Sequence, residues 1–334
     1  MSAPLLSIEG LDVRFQIGRS LFGKGESLQA VRDVSLTVEA GECVGIVGES
    51  GCGKSTLARA ALDFVAPAAG RILWRGRDLA TLDAAGRHAF RRAVQPVFQN
   101  PLGSLNPRMT VGDIIAEPLE TLRPDIPAAE RRPRAIAWLE KMGLTADMAD
   151  RYPAEFSGGQ AQRIAIARAM ISEPEMLICD EAVSALDVSV KAQIVNLLQA
   201  LQRETGIAII FISHDLAIVR QIATRVMVMY LGRMMEDSAT APLFARQYHP
   251  YTQALLSAVP IPDPAAERAR VPTLLRAEVP SPLRPPSGCV FHTRCPAAKP
   301  NCILAVPAPT HPADGRTVAC HYAGVQIRGM QAAG

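Results

Sequence analysis

The chain has 334 residues, 49% of them hydrophobic and 20% charged, so it can bury a substantial core and is not a disordered chain. A net charge of +3 gives no reason to expect nucleic acid as a partner, and the longest apolar stretches, Gly206 to Ser213 and Val226 to Leu231, fall far short of the ~18 residues a membrane span needs. The opening Met1-Ser2-Ala3-Pro4 lacks a basic segment followed by an apolar one, and three of the seven cysteines (Cys43, Cys52, Cys179) sit in core-like segments, so the expectation is a reduced, cytosolic chain and not a secreted disulfide scaffold.

Leu28 to Val38 alternates apolar and polar residues, the pattern of a half-exposed strand. Cys43 to Val47 is a short apolar run of buried-strand type that feeds a glycine-rich turn and then a helical segment from Thr56. That turn, Gly48-Glu49-Ser50-Gly51-Cys52-Gly53-Lys54-Ser55, fits GxxxxGK[ST] in the strand–turn–helix context the motif requires. Its glycines let consecutive backbone N–H groups face phosphate oxygens at a helix N-terminus, Lys54 reaches the outer phosphates, and the Ser55 hydroxyl suits Mg²⁺. Cys52 reads as a tolerated small residue and not as a redox switch. Gln99 follows the apolar Val97-Phe98 and precedes a loop, and by itself would pass for a surface residue. From about 102 to 172 no strong strand run occurs, which predicts an inserted helical subdomain; its basic run Arg131-Arg132-Pro133-Arg134 reads as a solvated surface.

Ser157-Gly158-Gly159-Gln160 has capping-box spacing and opens a helix expected to end at Glu173, before Pro174. Its two glycines leave N–H groups uncovered at the positive end of the helix dipole, a second phosphate-facing device in a chain that already has one. Met176 to Cys179 and Ile207 to Ile212 are two more buried strands, each ending in polar residues: Asp180-Glu181 and Ser213-His214-Asp215. Carboxylates at the carboxyl end of a parallel strand lie where ligands of open α/β sheets collect. Asp180 is placed to hold Mg²⁺, Glu181 to orient water, and His214 to meet the γ-phosphate; Ser213 or Asp215 caps the helix Leu216 to Ile222. Strands alternating with helices predict an α/β fold with a mainly parallel sheet.

Proline marks a boundary near 245: the last 85 residues hold 14 of the 26 prolines and also Cys289, Cys295, Cys302 and Cys320. The spacing C-x5-C-x6-C-x17-C suits four thiolates around zinc or around an iron–sulfur cluster, and spacing alone leaves the choice open.

In this order and spacing the P-loop, Gln99, Phe156-Ser157-Gly158-Gly159-Gln160, Asp180-Glu181, Ser184-Ala185-Leu186-Asp187 and His214 resemble the ATP-binding subunit of an ABC transporter. Val97 to Arg108, His249-Pro250-Tyr251-Thr252 and Pro285 to Phe291 are closer still to the oligopeptide/dipeptide permease family, in particular its F-type subunits. The resemblance implies a P-loop NTPase core over 1–245, with a mainly parallel sheet, an antiparallel β subdomain and the helical insert. It also implies a loop-rich C-terminal metal-cluster extension over 246–334. ATP would be held by Gly48, Glu49, Ser50, Gly51, Cys52, Gly53, Lys54, Ser55, Thr56, Gln99, Asp180 and His214, with Phe15 stacked on adenine. Mg²⁺ would lie on Ser55, Gln99 and Asp180, and catalysis would fall to Glu181 with His214 and Gln99. Ser157, Gly158, Gly159, Gln160 and Asp187 would serve the ATP of a second subunit. Ala182 departs from the proline usual in the family, so a less rigid turn and an altered hydrolysis rate are expected. The four late cysteines would carry a [4Fe–4S] cluster, with zinc as the alternative.

The implied function is ATP-driven import of peptides at the cytoplasmic face of the cytoplasmic membrane. The implied partners are a D-type second ATP-binding subunit, two transmembrane permease subunits and an extracytoplasmic peptide-binding protein, with no nucleic acid. Nickel or a glutathione-like cargo is an alternative, and so is a soluble ABC-type ATPase of repair, translation or cluster assembly.

Overall fold

The apolar runs form two sheets in the computed structural model, which describes residues 3–18, 26–259, 268 and 278–327. The chain ends and most of 260–277, which belong to the two expected domains, lie outside the described residues. Strands are β1 (Leu6–Ile17), β2 (Glu26–Val38), β3 (Cys43–Val47), β4 (Ala69–Trp74), β5 (Arg77–Asp78), β6 (Val94–Val97), β7 (Met176–Asp180), β8 (Ala208–Ile212), β9 (Arg225–Tyr230), β10 (Arg233–Ala239) and β11 (Thr317–Val318). The smaller sheet is antiparallel in the order β2-β1-β4-β5. The larger runs β11-β10-β9-β3-β8-β7-β6, parallel from β9 to β6 and antiparallel at β10 and β11.

The central strands are apolar throughout because both faces are covered. Successive side chains point to opposite faces, so Leu177, Cys179, Ile209 and Phe211 pack with the helical insert, while Met176, Ile178, Ala208 and Ile210 pack with the antiparallel sheet. The expected helical insert is present as helices Val111–Leu122, Ala128–Lys141 and Gly158–Met170. Its basic run lies on the solvated surface, where Arg132 meets Asp113 and Asp150, and Arg134 meets Glu130 one turn away. The third helix stops three residues before the expected end. Glu173 adopts φ 56° and donates its N–H to Met170 O at 2.9 Å, while Glu175 N–H is already bonded to Ala93 O on the way into β7.

Residues of the C-terminal extension close on this core. β11 pairs with β10 through Glu236↔Val318 and Asp237↔Thr317, and Tyr251, Cys289, Val290 and Phe291 join the same buried cluster as Tyr230. At the junction the Glu236 carboxylate is wholly buried. It accepts from Tyr248 N and His249 N at 2.9 Å each and from Arg316 Nη1 at 3.0 Å. A buried carboxylate is tolerable only when it is bonded and charge-matched in this way.

Candidate functional site

β3 delivers the chain into the phosphate loop, and the loop's glycines are required by space. A Cβ on Gly48 would lie 2.2 Å from Met229 O and 2.8 Å from Cys52 Sγ. The helix Lys54–Ala61 follows at once, with Gly53 in left-handed backbone at its N-cap. Lys54 is only 4% exposed, and its Nζ donates to Gly48 O at 2.8 Å and Glu49 O at 3.0 Å, which holds the ammonium across the mouth of the loop. Cys52 is buried, and burial raises its thiol pKa against the pull of Lys54, as fits a packed small residue.

β7, beside β8 and one strand from β3, brings its carboxyl end to the same edge. Ser55 Oγ donates to Asp180 Oδ1 at 2.9 Å, although 125 residues separate them. Burial raises the Asp180 carboxyl pKa, partly offset by that hydrogen bond. Two adjacent hard oxygen donors, one a desolvated carboxylate, are a fitting seat for Mg²⁺. The next residue turns sharply: Glu181 sits at φ 48°, donates its N–H to Ile212 O, and has its carbonyl bonded by Ser184 N and Oγ. Ser184 thus braces the turn that holds Ala182. Gln99 Nε2 donates to Glu181 Oε2 at 2.9 Å, and His214 Nδ1 lies 3.7 Å from Glu181 Oε1. Asp215, not Ser213, caps the helix Leu216–Ile222, accepting from Ala217 N and Ile218 N; Ser213 Oγ accepts from Asp215 N. Lys54, Ser55, Gln99, Asp180, Glu181 and His214 therefore meet at one sheet edge.

The remaining expected residues lie elsewhere. Phe15, on β1 opposite Leu28, is half-buried against the core shared with the antiparallel sheet. Ser157 and Gln160 complete the predicted capping box with each other, and Ser157 and Gly158 are exposed. Asp187, also exposed, stands at the N-cap of the helix Val188–Thr205. A Cβ on Gly159 would lie 2.5 Å from Val190 Cγ1, so the two helix starts share one surface, beside which Val188 is 84% exposed.

The late cysteines require a correction. Among the described residues no group of three or more His, Cys, Asp or Glu side chains is arranged to hold a metal ion, so the expected cluster on Cys289, Cys295, Cys302 and Cys320 is not supported as a formed coordination sphere. All four nevertheless line one cavity, together with His249, whose buried Nε2 has no hydrogen-bond partner among the described residues. Burial pushes the Cys295 thiol up to about 12 and Cys320 to about 11.

Sequence reasoning missed the partners of Glu49. Tyr251 Oη accepts from Glu49 N at 2.9 Å and Arg294 Nη1 donates to Glu49 Oε2 at 2.7 Å. The available signal was His249-Pro250-Tyr251-Thr252, noted as a family feature without a role.

A P-loop at the carboxyl edge of a mainly parallel sheet, facing a hydroxyl, two carboxylates, a glutamine and a histidine, defines a P-loop ATPase of the ATP-binding cassette class. The comparisons narrow this. Residues 31–184 match the ABC transporter family model, and residues 235–302 match the oligopeptide/dipeptide transporter C-terminal region. The oligopeptide transport ATP-binding protein OppF of Haemophilus influenzae is 52% identical over 95% of this chain and 96% of its own length. OppF of Escherichia coli is 52% identical over 91% and 92%. Among solved structures, the dimeric post-hydrolysis state of the ATP-binding cassette MJ0796 bound to ADP and Pi superposes with TM-score 0.63 at 28% identity, covering 70% of this chain and 98% of that one. The chain belongs to the ATP-binding subunits of oligopeptide/dipeptide ABC transporters.

Proposed function

We propose that this chain is the ATP-hydrolysing subunit of an ABC importer for peptides, and that the site at the sheet edge works as follows. The amides of Ser50 to Ser55 and the N-terminus of the helix Lys54–Ala61 take the phosphates, and Lys54 turns from the carbonyls of Gly48 and Glu49 onto the outer ones. Ser55, Asp180 and Gln99 would hold Mg²⁺, which when bound would supply positive charge against the phosphates. Glu181 orients the attacking water and accepts its proton; Gln99 fixes one oxygen of that carboxylate, and His214 stands beside the other and reaches the γ-phosphate. Phe15 stacks on the adenine.

The surface formed by Ser157-Gly158-Gly159-Gln160 and Asp187 completes the ATP site of a second, D-type subunit, whose counterpart completes this one. The helical insert docks on two permease subunits at the cytoplasmic face of the cytoplasmic membrane, and a peptide-binding protein delivers cargo from outside. Among the described residues no helix is long and apolar enough to cross a membrane, which is consistent with a peripheral subunit. The observation that carries the reading is the Gln99–Glu181–His214 arrangement beside the Ser55–Asp180 pair. Its test is Glu181→Gln: turnover is expected to fall by about 10²–10⁴-fold, with an ATP-bound dimer trapped on size exclusion. Wild-type turnover in that variant would sink the assignment.

The same reading gives the cysteine cavity a [4Fe–4S] cluster. What supports this reading is that all four late cysteines line one cavity together with His249. When bound, such a cluster supplies cross-links that hold a proline-rich segment with little regular structure of its own. Four iron and four acid-labile sulfide per chain, after purification without oxygen, is the expected analysis; stoichiometric zinc would replace the cluster by the alternative ion.

A further inference from the structure

Glu49, the second residue of the phosphate loop, is held from three directions. Its carbonyl accepts from Lys54, its N–H donates to Tyr251 Oη, and its carboxylate pairs with Arg294. Two of these three partners come from beyond residue 245, more than 200 residues along the chain. Both are fixed in place. Tyr230, Tyr251 and Phe291 pack tilted and edge-on against one another with centroids 4.7–5.3 Å apart. Arg294 is 8% exposed, lies 5.8 Å from the Tyr230 ring centroid, and also donates to Tyr230 Oη at 3.4 Å.

A charge-assisted bond this well enclosed is among the stronger single contacts available to a loop. A glycine-rich loop needs such support, because each glycine widens the set of shapes it samples when free. Arg294 and Tyr251 bond Glu49, one residue before the amides proposed to take the phosphates.

We infer that Arg294 and Tyr251 are positioning residues of the nucleotide site, through which the C-terminal extension presets the phosphate loop for ATP. The inference rests on the ATPase reading above. Presetting a loop helps ground state and transition state alike, so its loss raises Kd and KM and leaves kcat at saturation nearly unchanged.

The experiment titrates the purified full-length chain with a fluorescent ATP analogue and Mg²⁺, and follows steady-state hydrolysis in the assembled transporter. Arg294→Met is expected to weaken ATP binding about tenfold with kcat within about twofold, and Tyr251→Phe to weaken it a few-fold. Glu49→Gln is expected to weaken binding as Arg294→Met does, and the double variant to add little to either, because both remove one pair. Unchanged affinity in Arg294→Met with wild-type melting overturns the inference. Should Arg294→Met not fold, unchanged affinity in both Tyr251→Phe and Glu49→Gln overturns it equally. A parallel loss of kcat also overturns it, since the two residues would then act on the chemical step. Failure of the unmodified chain to bind the analogue overturns the ATPase reading and this inference together. Binding by the unmodified chain but an unaltered Arg294→Met leaves the ATPase reading standing alone.

Discussion

At the scale of single residues, the site divides into what neighbours in sequence dictate and what the fold must deliver. Gly48 belongs to the first kind. Its missing side chain makes room for the Met229 carbonyl and the Cys52 sulfur, and the backbone carbonyl cannot swing aside. Gly48→Ala is therefore expected to cost about 3 kcal/mol or more, measured by urea denaturation against wild type. The motif made this loop legible because glycines, lysine and serine lie side by side in the chain. The Glu181 surroundings were partly legible: the strand and the carboxylate pair could be read, but φ 48° and the brace from Ser184 belong to a turn that no residue pattern announces. The grip on Glu49 was not legible. Arg294 in a proline-rich tail looks like any solvated arginine until the aromatic trio places it against the loop.

Helix starts were read more accurately than helix ends. The Ser157/Gln160 box forms as its spacing predicted, because a cap is decided within four residues. The end at Met170 was misplaced, because the neighbouring strand sets it: Glu175 must pair with Ala93 before β7 begins, and the chain leaves the helix early to get there. The basic run of the insert lies on the surface as read, while its pairing of Arg132 with Asp113 and Asp150 forms only when the helices pack. The exposed Ser157 caps its helix, and in the proposed dimer it would also meet a second subunit's ATP. As a cap, its replacement in Ser157→Ala is expected to cost about 1 kcal/mol in denaturant unfolding. As a donor to a second subunit's ATP, the same replacement is expected to impair ATP-driven dimer formation far beyond that figure, read by light scattering with and without ATP. A purely structural serine would show only the first effect.

Across the whole molecule, the parallel sheet and helical insert were apparent from buried-strand runs and their absence, whereas the attachment of the extension was not. Proline density announces irregular chain but does not say what the chain lies against. The answer is the Arg316–Glu236 pair, which joins residues 80 apart with the carboxylate fully buried. Arg316→Met leaves that charge without its counter-ion, and a loss of about 3–5 kcal/mol is expected, seen as a lower melting temperature and as proteolysis beginning in the extension. Equal stability of variant and parent would mean that the Tyr248 and His249 amides suffice for the carboxylate.

The two residues of β11 have a further consequence, for solubility. They lie along the outer side of β10, where the other six strands of the sheet would otherwise present a free row of amides and carbonyls. An open edge of that kind is a template on which another chain can add a strand. A chain cut short before Thr317 would bare this edge together with the buried Glu236. It is expected to self-associate on expression even though its P-loop, strand edge and helical insert are intact.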